Sequence, residues 1–73
     1  MTLKTKFQFI EFVAYKDEAW ACVNRRYKET LGGVSYYQDW KQFIFEPTHG
    51  AVFSASCLSD IYDFVRAVNQ GER

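Results

Sequence analysis

The chain has no long apolar run, one proline, one histidine and no net charge, its nine basic residues being matched by nine acidic ones. Each shortage removes a class of function. Nothing approaches the roughly 18–20 consecutive apolar residues that a bilayer core requires, so no membrane-spanning helix is expected. With neither sign in excess there is no global field to hold a polyanion or an anionic membrane. His49, Cys22 and Cys57 supply at most three soft ligands without zinc-site spacing, so neither a metal nor a cofactor is expected. His49 stands beside Gly50 in a turn, where an isolated imidazole reads as plain surface. Met1 to Lys6 offers no apolar signal segment, and two cysteines without one read as free thiols in a reducing compartment. The expected address is cytoplasmic.

What the chain does have is aromatic side chains: seven Phe, five Tyr and two Trp in 73 residues. One domain of this size, residues 1–73, hides only about 60–65% of the surface its unfolded chain exposes. Each aromatic buries roughly 150–250 Å². A few of them fill so small a core, and the remainder are left for a second copy or a partner.

The hydrophobic pattern is clearest in the C-terminal third. Leu58, Ile61, Tyr62, Val65 and Val68 recur at helical spacing, with Cys57 and Phe64 widening the stripe, and predict a helix over 57–69. Ser56 is the expected N-cap. Asp60 and Asp63 fall in the expected first turns, Arg66 towards the far end, and Asn69 and Gly71 supply the stop. Upstream, aromatic and β-branched runs predict strands over 7–15, 20–24, 31–37, 42–46 and 51–53. Apolar residues of both parities in 7–15 point to a bulge near Glu11 or a strand with two apolar faces. Gly32 and Gly33 point to a bulge or a close backbone approach. Pro47 ends the fourth strand. Short connections favour an antiparallel meander. The expected fold is α+β, with four or five strands packed on one C-terminal helix.

The order Trp20-Ala21-Cys22-Val23-Asn24-Arg25-Arg26, Leu31-Gly32-Gly33-Val34, Tyr36-Tyr37, Trp40-Lys41-Gln42-Phe43, Phe45-Glu46-Pro47, Val52-Phe53-Ser54-Ala55 and Cys57-Leu58-Ser59-Asp60-Ile61 resembles a set of small hypothetical proteins of bacteriophages, prophages and integrated elements. The resemblance spans about residues 20–69. Lys41 and Phe43 stand where that set carries Arg and Tyr. Ser54 stands where Asn is common, and the loop from Arg25 to Thr30 lacks a Ser-Gly pair. The resemblance implies a phage-type origin and transfers no catalytic residue.

Candidate chemistry is sparse. Cys57 near a helix start has a site suited to a nucleophilic thiol, but without an adjacent base it reads as a small buried hydrophobe. A Cys22–Cys57 disulfide is disfavoured for a reducing compartment. Asp39, Glu46, Asp60 and Asp63 offer acidic groups; Asp39 is accounted for by its turn and Asp60 and Asp63 by the helix start, and no nucleophile–base signature accompanies them. No enzyme is expected. Arg25, Arg26, Tyr27 and Lys28, taken with Tyr36, Tyr37, Trp40 and Lys41, interleave cations with aromatics. That mixture suits protein recognition, where Trp, Tyr and Arg are favoured anchors. It also suits stacking on bases with contacts to phosphates. The plainer reading is a charged loop in water beside aromatics that only pack. The leading expectation is a protein-binding module acting through sheet-face and turn aromatics, by self-association (as a homodimer) or by binding and inhibiting a host protein. The alternative is a nucleic-acid-binding accessory protein using Arg25, Arg26, Lys28 and the sheet aromatics, against which the zero net charge counts.

Overall fold

A computed structural model describes residues 3–73 and shows, among them, four strands followed by one helix. The strands are β1 (Ile10–Lys16), β2 (Ala19–Asn24), β3 (Thr30–Tyr37) and β4 (Gln42–Pro47); the helix is α1 (Ala55–Asn69). They form one antiparallel sheet in the order β1-β2-β3-β4. This is the expected α+β meander with four strands and no fifth. Residues 51–53 carry no strand. Pro47 closes β4, and Gly50, at φ +83°, turns the chain away from the sheet. Ala51 and Phe53 then pack on the core as an extended connector, Phe53 edge-on to Phe45 at 5.7 Å.

The first strand begins at Ile10, three residues later than expected. Residues 3–7 fold back beside β1 instead: Phe7 N–H donates to Ile10 C=O, Phe12 N–H donates to Thr5 C=O at 2.8 Å, and Lys6 bridges to Glu11. The reversal at Gln8 and Phe9 is what makes 7–15 apolar in both parities, because Phe7 and Phe12 reach the core from two sides of a bend. Their rings meet edge to face at 5.9 Å. The bulge lies between Ala14 and Lys16 rather than near Glu11, and a second falls between Cys22 and Val23. Gly32 is a close approach: a Cβ there would lie 2.4 Å from the Phe45 ring and 2.6 Å from the Glu46 carbonyl oxygen.

The helix starts two residues early because Ser54, not Ser56, caps it, its Oγ accepting from Cys57 N–H at 3.2 Å. Asp60 and Asp63 therefore sit beyond the first turn, which holds no acidic residue. The end is as expected. Gly71 takes φ +90°, its N–H donating to Val68 C=O while Glu72 N–H donates to Ala67 C=O, a Schellman closure.

The buried face of α1 is Ile61, Phe64 and Val68, flanked by Cys57, Val65 and Ala67. Leu58 and Tyr62, expected in the stripe, are 53% and 63% exposed. The helix is rotated towards Phe64 because that ring has the better partners. It stacks on Phe12 at 3.9 Å and meets Trp20 edge-on at 5.5 Å. A tyrosine left at the rim keeps its hydroxyl wet at no desolvation cost. The core face of the sheet is completed by Ile10, Cys22, Val34 and Phe43.

Candidate functional site

In a meander the second loop and the third turn lie at opposite ends of the sheet. The eight residues of β3 separate them by roughly 23 Å at ~3.3 Å per residue. The eight expected binding residues are thereby split. Arg25, Arg26, Tyr27 and Lys28 occupy the loop end, whereas Tyr36, Tyr37, Trp40 and Lys41 occupy the turn end. They do not form one constellation.

At the loop end, Asn24 builds the presentation. Its side-chain oxygen accepts from Arg26 N–H at 2.9 Å and Tyr27 N–H at 3.0 Å, and its carbonyl accepts from Lys28 N–H. Arg26 lies 5.3 Å over the Tyr27 ring. Arg25 donates through one guanidinium nitrogen to Phe7 C=O at 2.7 Å and through its backbone to Phe9 C=O, joining the loop to the N-terminal arm. Lys28 pairs with Glu11 at 3.6 Å, but the lysine side chain is largely exposed, and such pairs are worth little. Between arm and loop runs an open groove of about 660 Å³ bordered by Lys6, Phe9 and the four loop residues. Lys6, Gln8 and Phe9 escaped sequence reasoning because 7–15 was expected to be one strand. The double parity around Glu11 was the signal that the chain reverses there.

At the turn end, Trp40 is 66% exposed and held edge-on by Tyr37 at 5.1 Å. Tyr37 O–H donates weakly to Asp39 at 3.4 Å. Tyr36 turns to the helix side and packs against Phe43 at 5.4 Å. Lys41 closes the turn at φ +53°.

On the sheet face opposite α1, Val13, Ala21, Val23, Gly33, Ser35 and Ile44 form an uncharged centre, with Glu11 and Glu46 on the same face towards the loop end. Among the described residues no element covers it. Its edges are partly blocked. The N-terminal arm occupies β1 at Phe12. On β4, Asn69 takes the Phe43 N–H at 2.7 Å and donates to its carbonyl at 3.1 Å. Pro47, of the same outward parity, has no N–H to offer.

The remaining candidates are scattered. Cys57 and His49 border a smaller groove of about 280 Å³ whose carboxylate is Glu29, not Glu46. Glu46 lies on the opposite sheet face, and Asp39 sits at the other end of β4. Both cysteines are free. Burial, and to a lesser extent the neighbouring Cys57 thiol, pushes Cys22 up to about 11. No group of three metal-ligating side chains converges among the described residues, and no helix is long and apolar enough to cross a membrane. Compared with known proteins, the chain matches no family model, no curated protein and no solved structure.

Proposed function

We propose that the chain is a non-enzymatic protein-binding module that docks through the uncovered sheet face and the Trp40 corner, its first occupant being a second copy of itself. The observation that carries this reading is Trp40, exposed and braced by Tyr37 at the end of the sheet face away from Glu11 and Glu46, where the face is uncharged. Aromatic anchors beside a desolvatable centre are the usual shape of an interaction hot spot. Edges interrupted at Phe12, Phe43 and Pro47 leave no long strand to extend, which disfavours strand addition and favours face-to-face packing. A formal net charge of zero leaves no long-range repulsion between copies. The phage-type origin implied by the resemblance belongs to the same proposal, a host protein being the occupant that a second copy would stand in for.

Sedimentation of the wild type against Trp40→Ala and Ile44→Lys tests it. The wild type is expected to leave its monomer mass of 8.6 kDa as concentration rises, and both variants to remain there. A wild type that stays monomeric, or variants that associate equally well, would overturn it.

A further inference from the structure

We infer that the groove at the loop end, between the N-terminal arm and the β2–β3 loop, is a binding site for single-stranded nucleic acid, separate from the Trp40 surface. Lys6, Arg25, Arg26 and Lys28 border it together with the rings of Phe9 and Tyr27. The rings are 50% and 69% exposed. Glu11 is the one acidic side chain in the wall, and Lys28 stands beside it.

The neutrality of the whole chain does not cancel this cluster. Asp17, Glu18 and Asp39 lie at the turn end. That is about 23 Å away along β3, beyond the ~8–10 Å over which charges are felt at physiological salt. Locally, four cations face Glu11 in the wall and Glu29 next to Lys28 in the same loop, an excess of two positive charges. Arg25 spends one of its five donors on Phe7 and keeps the rest, and Arg26 is already laid against an aromatic face. Phosphates would meet the cations, and unpaired bases would stack on Tyr27 and Phe9. A duplex would present no free base to those rings, so a single strand is the form that uses both halves of the site.

The test is fluorescence anisotropy of the full chain with a labelled oligothymidylate of about ten nucleotides, within the span a single-strand site covers, titrated from low to high salt. Binding at low salt is expected. Its log–log salt slope should be about −2 to −3, at ~0.7 per cation engaged. Arg26→Ala should flatten the slope by roughly 0.7. Tyr27→Ala should weaken binding on the order of tenfold at unchanged slope, as loss of one stacking platform does. Trp40→Ala should change nothing, which separates this site from the proposed protein-binding surface. All three side chains are exposed, and near-ultraviolet circular dichroism checks that the variants stay folded. No binding at low salt would overturn the inference. So would equal affinity for phosphatidylserine vesicles or a phosphopeptide, or insensitivity to Tyr27→Ala, since each reduces the groove to a generic anion exchanger.

Discussion

Gly32 is where a single atom matters most. In register with Pro47 and beneath the Phe45 ring, it occupies a position where backbone, not only a movable side chain, blocks a Cβ. Gly32→Ala should therefore cost about 1–3 kcal/mol in urea unfolding, the usual penalty of overpacking. Gly33→Ala, whose Cβ would meet only the Trp20 carbonyl oxygen at 3.4 Å, should stay within about 0.5 kcal/mol of wild type. Cys22 gives a second residue-scale expectation. Its thiol is raised from 9.0 to about 11 by burial first and Cys57 second. The unfolded chain thus releases this proton at lower pH than the native chain does. The associated stability is complete below pH 9 and is lost as pH climbs through about 11. Over that interval the urea midpoint of the wild type should fall more steeply than that of Cys22→Ala; parallel curves would contradict the assignment.

At the scale of elements, the helix is held by its face and by its ends. Phe64→Ala removes the ring stacked on Phe12 and should cost about 3–5 kcal/mol, whereas Leu58→Ala should cost under about 1 kcal/mol. Equal losses would mean the helix lies on the other stripe. Asn69→Ala breaks both bonds to Phe43 and frees the β4 edge. A loss of about 1–3 kcal/mol is expected, together with faster amide exchange at Phe43. These elements also show what the sequence could and could not reveal. Strand order followed from the shortness of the turns, and the end of α1 from Asn69 and Gly71. The rotation of the helix did not follow, because two apolar stripes overlap on it and only the rings of Phe12 and Trp20 choose between them. The N-cap was misplaced between two serines two residues apart. The start of β1 was hidden because a hairpin bend and a two-faced strand share one apolar pattern.

At the scale of the whole molecule, the decisive fact is that the meander sends the two groups of expected binding residues to opposite ends. Residue type singled out both groups, but adjacency in sequence could not show that eight residues of β3 would stand between them. The basic, aromatic groove and the braced tryptophan stand at opposite ends of the sheet, so the two proposed occupants would not compete. Face-to-face self-association is the claim on which the proposed function rests. Its most direct test is a dilution series followed by amide chemical shifts over the full chain. Concentration-dependent shifts are expected at Val13, Ala21, Ile44 and the Tyr37–Trp40 turn, with Arg26 and Tyr27 unmoved. Shifts that are independent of concentration, or that gather on Leu58 and Tyr62 of the helix instead, would contradict it.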